Sequence, residues 1–237
     1  MWILPRMSRS VLAGTLVVAL FWGGCGPRTL NSMKDAHQAG RYGEVAAMDV
    51  SCAPEDDRCN QMHLLKGDAC YILGRRAEGE SRDSTARARF ECAETHLGAG
   101  IRQTEAARSG EWEIAGSERP QWYLNRAESL RQLQDLLSGD TARTVSNRLL
   151  EFGRMYREAV PGAAAPHFYV ATARYALLQP KLIDVSSGDP SVCEELNAIQ
   201  TVLDEAPADE VSDAIQDNVE SLHDQLERQR ERADCSS

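Results

Sequence analysis

The chain has 237 residues, with 26 Lys and Arg against 36 Asp and Glu, and a formal net charge of −10 at pH 7. This acidic balance argues against nucleic-acid binding, because neutralising phosphates requires clustered Lys and Arg. It also argues against a body that adsorbs to anionic lipid head groups, and it suits solubility or attraction of a basic partner. The length is ample for one elongated domain or two small ones.

The first 24 residues have the parts of a secretory signal. Arg6 and Arg9 supply positive charge, residues 11–22 form an uncharged and mainly apolar run, and two small residues precede Cys25. A helix that crosses a membrane needs about twenty apolar residues. The run is too short for that, so we interpret it as an export signal.

The end of this segment resembles the lipobox of bacterial lipoproteins. Gly23 and Gly24 are the small residues that the family has before its cysteine, whereas Trp22 stands where the family usually has Leu. The resemblance implies that Cys25 becomes the first mature residue and carries acyl chains such as palmitate, which anchor a protein to a bilayer. Gly26, in place of the Asp that favours inner-membrane retention, implies the outer membrane, facing the periplasm.

Three alternatives stay open at this point. The anchor could hold the protein at the inner membrane or the cell surface, or the signal could be an ordinary secretory one with Cys25 as a plain thiol. Either Met1 or Met7 can begin the chain. Without Arg6 and Arg9 the mature chain carries 24 basic against 36 acidic residues.

The predicted organisation is a single helical domain behind a short tether. Residues 1–24 are the signal peptide and 25–29 the lipidated tether. The helical domain covers 30–232, with an internal boundary near 106–120, and 233–237 form a tail. Helical periodicity dominates and β-branched alternation is scarce, so the predicted fold class is all-α.

The predicted helices follow one another as hairpins. In chain order they cover residues 30–39, 43–48, 61–73, 83–97, 122–137, 141–160, 166–178, 191–205 and 209–231. Gly74 is interpreted as the C-terminal cap of the third helix, and Pro180 as a residue that the seventh helix does not pass. The last helix carries one apolar face, formed by Val211, Ile215, Val219, Leu222 and Leu226.

The third and fourth helices resemble a tetratricopeptide repeat, in which small residues allow close packing of paired helices. The matching residues are Gly67, Leu73, Gly74, Ala86, Phe90 and Ala93. The match requires an insertion of seven residues around 76–82. The resemblance covers residues 30–98, and 120–231 only as architecture. It implies hairpins stacked as a right-handed superhelix, with an irregular helical bundle as the alternative.

Six cysteines remain beside Cys25, and an even number in an exported chain predicts disulfides. Cys52 and Cys59 flank a short polar segment that a bond between them would close. Cys70 and Cys92 lie on consecutive predicted helices, which an antiparallel arrangement can bring together. For each pair the alternative is a buried free thiol that packs as a small hydrophobe.

The third pair, Cys193 and Cys235, is harder to form. The two residues lie on helices of very different length, and straight helices would leave them about 20 Å apart at 1.5 Å per residue. A bond between them therefore requires the C-terminal tail to fold back.

The sequence lacks the motifs that usually mark catalysis. There is no Gly-x-Ser-x-Gly, no Gly-rich phosphate loop and no His-x-x-x-His pair. Cys59 and His63, four residues apart, could share a metal, but a disulfide is the favoured interpretation. The loop 111–113 places two glutamates around a tryptophan, as a glycosidase pocket does, but a packing tryptophan is the simpler explanation. We expect no enzyme activity, no metal and no cofactor.

A binding surface is the better expectation. The first helices of stacked hairpins line a concave face. If 61–75 and 165–178 are such helices, the groove exposes Asp68, Tyr71, Arg174 and Tyr175. Aromatic rings with arginine suit recognition of peptides or small anions. The alternative is that these rings only pack between helices.

Three functions remain in competition. The favoured one is a lipid-anchored adaptor that binds a protein partner in an envelope assembly or transport system. A solute-binding lipoprotein would instead hold a small molecule in an enclosed pocket on the order of several hundred Å³. A cell-wall hydrolase would have a cleft with two close carboxylates whose pKa values are perturbed.

Overall fold

The computed structural model describes residues 27–52, 56, 58–107, 112–183, 189–207 and 213–235. The predicted signal peptide (1–24), Cys25 and Gly26 lie outside these residues. The same holds for Glu111 of the proposed acidic pair and for Val211 of the apolar stripe. The last two residues of the predicted tail are likewise outside the described part.

The described part of the chain is all-α, as predicted. It forms nine helices: α1 (Pro27–Gln38), α2 (Tyr42–Ala47), α3 (Cys59–Gly79), α4 (Asp83–Ala106), α5 (Arg119–Leu136), α6 (Gly139–Ala159), α7 (Ala165–Ile183), α8 (Pro190–Asp204) and α9 (Asp213–Arg232). The only extended pairing among these residues is an isolated bridge between Ile114 and Ser117.

The helices are arranged as stacked hairpins in two layers. Every helix packs against the next one in the chain, and the odd-numbered helices also pack on one another, α1 on α3, α3 on α5, α5 on α7 and α7 on α9. The backbones of the described even-numbered helices do not approach one another closely, although Arg148 of α6 reaches Glu94 of α4 in an ion pair. The odd-numbered helices therefore form one continuous layer, the inner layer, with the even-numbered helices outside it. This architecture is compatible with a helical-repeat domain.

The α3–α4 hairpin is packed unusually closely through glycines. A Cβ on Gly67 would lie 2.6 Å from Cγ of Leu97, and one on Gly74 would lie 2.7 Å from the ring of Phe90. The expected cap at Gly74 is wrong, because α3 continues to Gly79. Gly74 serves instead to let the aromatic ring of the neighbouring helix approach the backbone.

Several further boundaries differ from the predictions, and α4 ends at Ala106 rather than at residue 97. Much of the proposed insertion at 76–82 is helical, because α3 extends to Gly79 before the chain turns. The seventh helix passes through Pro180 and ends at Ile183. A proline removes one backbone donor, and near the C-terminus of a helix this costs only one hydrogen bond. The helix can therefore continue for its last three residues.

Three disulfides join the six described cysteines, in the pairs Cys52–Cys59, Cys70–Cys92 and Cys193–Cys235. The last pair has a Cα–Cα distance of 5.4 Å, far below the separation expected for straight helices. The chain reverses after α9, where Asp234 has φ of 54° and the amide of Cys235 donates to the carbonyl of Arg230 at 3.0 Å. The short tail therefore folds back, as the bond requires.

The described part of the internal loop, residues 112–118, is fixed against α5. Ile114 is buried, and the indole N–H of Trp122 donates to the carbonyl of Trp112 at 2.8 Å. The guanidinium of Arg119 lies over the Trp112 ring, 5.1 Å from its centroid. These contacts give Trp112 a packing role and place the loop beside the N-terminus of α5.

Candidate binding groove

Three open depressions follow the inner layer. The first, of about 740 Å³, lies between α1, α3, α5 and residues 115–121. The second, of about 260 Å³, lies between α3, α5, α7 and α9, and the third, of about 690 Å³, between the α5–α6 turn, α7 and α9. Tyr71 lines the first two, and Arg131, Phe168 and Asn218 line the last two. They form one continuous surface, which we name the inner groove.

A buried polar triad forms the floor of the first depression. Asp68 on α3 lies 2.6 Å from Nε2 of His37 on α1, and it accepts a hydrogen bond of 2.5 Å from the amide of Asn125 on α5. All three side chains are buried. A buried carboxylate requires such partners, because an unpaired charge away from water is costly. The triad therefore fixes three helices of the inner layer relative to one another.

The walls of this depression are polar and partly exposed. Gln38, Gln121 and Glu118 are exposed, whereas Tyr42 and Tyr71 are half-buried. A glutamine amide offers two donors and an acceptor, the same groups as a peptide bond. The first depression can therefore hydrogen-bond a peptide backbone while the tyrosine rings contact its side chains.

The second depression is built around the carboxylate of Glu128. It accepts hydrogen bonds from Arg75 at 3.0 Å, Arg131 at 2.8 and 2.9 Å, Gln132 at 3.0 Å and Tyr169 at 3.1 Å. Burial opposes ionisation of Glu128. The hydrogen bonds from Arg131 and Gln132, with the charges of Arg131 and Arg75, outweigh burial and lower its pKa. The network holds charged groups in fixed positions along the groove.

The pKa of Glu128 is lowered and that of the nearby Asp135 is raised. A pair of carboxylates with pKa values shifted apart is also what acid–base catalysis would require. Burial raises the pKa of Asp135, against the charge of Arg131. The guanidinium of Arg131 bonds both carboxylates, Asp135 at 2.7 Å. An arginine that bridges two carboxylates keeps them as an ion-paired network, which suits structure and recognition rather than proton transfer.

Three of the four predicted groove residues line the inner groove. Asp68 and Tyr71 lie together in the first depression, where burial and then the charge of Glu128 raise the pKa of Tyr71 to about 12. Tyr175 lines the third depression and is buried. Arg174 lies between α6, α7 and α8, where it donates to Glu195 at 2.8 Å. Consecutive residues of a helix point about 100° apart, so Arg174 and Tyr175 cannot both face the inner groove.

Sequence reasoning missed the contribution of α5 to the groove. Asn125, Glu128 and Gln132 are spaced by three and four residues, a polar stripe on a helix that is otherwise largely buried. Polar residues at that spacing on a buried helix are a signal for a hydrogen-bonded network. His37 on α1 was missed for a different reason, because its partner Asp68 is 31 residues away.

A separate group of metal-ligating side chains lies outside the inner groove, at the N-terminus of α3. Nδ1 of His63 is 2.8 Å from Nδ1 of His96 on α4. Burial and the nearby charge of Lys66 lower the pKa of His63. The pKa of His96 is lowered to about 4 by burial and by His63. The ligand atoms of Cys52, Cys59 and His63 all lie within 4.8 Å of one another.

None of the described helices is both long enough and apolar enough to span a membrane. Comparison with protein-family models, curated proteins and solved structures gave no significant match.

Proposed function

We propose that this protein is a lipid-anchored adaptor of the cell envelope that binds a protein partner through the inner groove. The observation that carries this proposal is the continuity of three depressions across α1, α3, α5, α7 and α9. Their lining combines exposed amides, tyrosine rings and ion pairs held in place by several helices. A long, pre-organised polar surface suits an extended segment of another protein.

The shape of the groove supports a peptide segment over a small solute. A solute-binding protein encloses most of its ligand, whereas the depressions here are only partly enclosed and join one another through the second. The exposed large hydrophobic side chains of the described residues are Met155 and Ile183, and only Ile183 borders the groove. An amphipathic helix needs an apolar groove. The polar lining therefore favours an extended chain that uses its backbone.

We further propose that the domain is a divergent relative of tetratricopeptide repeats. The support is local to α3 and α4, where Gly67 and Gly74 receive Leu97 and Phe90, and Ala86 and Ala93 are fully buried. The close packing at Gly67 and the burial of Ala86, Phe90 and Ala93 are the roles that the resemblance assigns, whereas Gly74, expected just before the turn, lies inside α3. The alternation of inner and outer helices agrees with such stacking.

Membrane attachment is the second part of the proposal. The basic head, the short apolar run and Gly23-Gly24 before Cys25 support export and lipidation, with Gly26 favouring the outer membrane. Acyl chains on Cys25 would keep the groove near the bilayer, since several chains together anchor firmly. A periplasmic face follows from the same resemblance.

The groove is tested by blocking it with charge. In the double variant Gln38→Arg/Gln121→Arg, two exposed residues of the first depression acquire cationic side chains that fill it. The matched control, Thr95→Arg/Asn147→Arg, adds the same charge at exposed positions of α4 and α6. Envelopes are crosslinked and solubilised, and proteins bound to each variant are identified. We expect one partner recovered by wild type and control, and reduced about tenfold or more with the groove variant.

Two results would count against the adaptor. One is repeated recovery of no specific partner by the wild-type protein. The other is equal recovery by both double variants, which would place the partner on another surface.

Anchoring is tested independently by Cys25→Ser. We expect the variant to appear as a soluble periplasmic species or as unprocessed precursor, because it lacks the thiol that carries the first acyl chain. The measurements are membrane fractionation and the mass of the N-terminal peptide. An unchanged mass and unchanged fractionation would contradict lipidation and leave the groove proposal standing.

A further inference from the structure

Three potential metal ligands, Cys52, Cys59 and His63, converge where the chain enters α3, and His96 lies beside them against His63. Cys59 is the first residue of this helix and His63 follows one turn later, so both project from one face. Cys52 reaches Cys59 from the preceding segment, and His96 approaches His63 from α4. Two sulfurs and two imidazoles from three segments of the chain are the ligand set of a Cys₂His₂ zinc site.

The distances among Cys52, Cys59 and His63 fit such a site once the two sulfurs separate. The ligand atoms of Cys52, Cys59 and His63 already lie within 4.8 Å of one another, and the two imidazoles approach to 2.8 Å. A tetrahedral zinc with bonds of about 2.0 Å to nitrogen and 2.3 Å to sulfur places its ligand atoms about 3.3–3.8 Å apart. The two imidazole nitrogens therefore need to separate by about 0.5 Å, and the His96 ring needs to turn from His63 toward the sulfurs.

We propose that opening the Cys52–Cys59 disulfide creates a site for one divalent transition-metal ion, zinc above all. Its ligands are the two thiolates and one nitrogen each of His63 and His96. A dithiol reductant supplies the two electrons by thiol–disulfide exchange and is itself oxidised to a disulfide. The two protein thiols then lose their protons as the ion binds.

The surrounding charges make binding depend on reduction. Lys66 and Arg102 act on His63, and Lys66 and Asp49 act on His96. With the disulfide intact, a dication held by imidazoles alone would face two cations and one carboxylate. With two thiolates the charge of the ion is cancelled, and soft sulfur ligands bind zinc strongly. The oxidised protein is therefore expected to bind the ion at least about 100-fold more weakly.

The close packing of α3 on α4 keeps the site assembled when the Cys52–Cys59 disulfide opens. Cys70–Cys92 joins α3 and α4 further along the same hairpin, and the glycine contacts hold the two helices together. His63 and His96 therefore stay opposite each other without the Cys52–Cys59 bond. Cys52 and both histidines are only partly buried, so an ion can reach them from solvent.

The test uses the full chain in detergent with Cys25→Ser throughout, so that six cysteines remain, and Co²⁺ as the probe. Protein is reduced with a phosphine, which is removed before titration. Reduced wild type should bind one Co²⁺ per chain with thiolate-to-cobalt charge-transfer absorption and strong tetrahedral visible bands, and Zn²⁺ should displace it. The oxidised protein should show no thiolate absorption.

Variants separate this site from the other thiols. Reduced Cys70→Ala/Cys92→Ala should keep the cobalt spectrum, whereas reduced Cys52→Ser/Cys59→Ser should lose it. His63→Asn and His96→Asn should each weaken binding about tenfold or more and alter the tetrahedral bands, while circular dichroism checks that each variant is folded.

Three results would overturn the proposal. The first is the absence of stoichiometric cobalt binding by reduced wild type. The second is an unchanged spectrum in folded Cys52→Ser/Cys59→Ser, which would assign the ion to other thiols. The third is unchanged affinity in both folded histidine variants, which would leave a site of thiolates alone.

Discussion

The α3–α4 and α8–α9 hairpins are both antiparallel and both cross-linked by one disulfide, yet they are held in different ways. In α3–α4 the backbones approach closely, because Gly67 faces Leu97 and Gly100 faces Leu64, where added Cβ atoms would lie 2.6 and 2.7 Å away. In α8–α9 the described contacts come from one apolar stripe on α9 and from a polar contact of 2.9 Å between Gln200 and His223. The buried residues of that stripe are Ile215, Leu222 and Leu226.

The difference lies in what the covalent bond adds. Cys70–Cys92 links two helices whose shapes already fix their distance. Cys193–Cys235 links the start of α8 to the end of α9 and closes a longer stretch of chain, with a sequence separation of 42 against 22. In the closely packed α3–α4 hairpin the disulfide adds stability to helices that already hold together. In the sparsely packed α8–α9 hairpin the disulfide is needed to keep α9 in place.

The largest expected effect comes from removing the bond of the sparsely packed hairpin. We expect Cys193→Ala/Cys235→Ala to destabilise α9 by about 4 kcal/mol, the chain-entropy value for a loop of this length. Hydrogen exchange should show the amides of α9 losing protection before the rest of the protein. The matched control, Cys70→Ala/Cys92→Ala, should lower the free energy of unfolding while α3 and α4 keep their protection. Full protection of α9 without its disulfide would contradict the comparison.

What the sequence could predict depends on whether a feature is set by local residues or by contacts between distant ones. Helix order and the all-α class follow from local periodicity, which needs no knowledge of distant contacts. Gly74 shows where this prediction fails. The sequence alone does not distinguish a glycine that ends a helix from one that lets the ring of Phe90 approach the backbone. The C-terminal tail is another case, because the reversal at Asp234 depends on one left-handed residue.

The residues of the inner groove likewise fall into those that the sequence could predict and those that it could not. Hairpin order alone could assign α3 and α7 to one layer. Which of Arg174 and Tyr175 faces the groove depends on the rotation of α7 about its axis. In the triad of His37, Asp68 and Asn125 the directly bonded residues lie 31 and 57 positions apart along the chain. No local pattern encodes such a pairing.

A second prediction tests the close packing of α3–α4 directly. Gly67→Ala should destabilise the protein by about 3 kcal/mol, because its Cβ would lie 2.7 Å from the backbone nitrogen of Leu97, which cannot rotate away. Gly79→Ala on the same helix is the matched control, since nothing lies within 4 Å of its added Cβ. That variant should be neutral or slightly more stable. Urea unfolding measures both, and equal stability of the two variants would remove the glycine argument.

The last and smallest expected effect is that of acid pH. Acid protonates carboxylates such as the one that links α3 to α5, but it does not affect the α8–α9 disulfide. Glu128 on α5 bonds Arg75 of α3 and Tyr169 of α7. Glu128→Gln should cost about 2 kcal/mol at neutral pH, since it removes charge-assisted hydrogen bonds.

The sign of the acid effect follows from the lowered pKa of Glu128. Its ordinary value is 4.5, so the unfolded chain takes up a proton there while the folded protein does not. The stabilisation from Glu128 is therefore complete above that pH and declines as the pH falls below it, through the folded pKa. Thermal unfolding of wild type and Glu128→Gln from pH 7 to 3 measures this, and the gap between their Tm values should narrow below pH about 4.5. A gap that stays constant or widens in acid would show that the carboxylate charge does not tie α3 to α5.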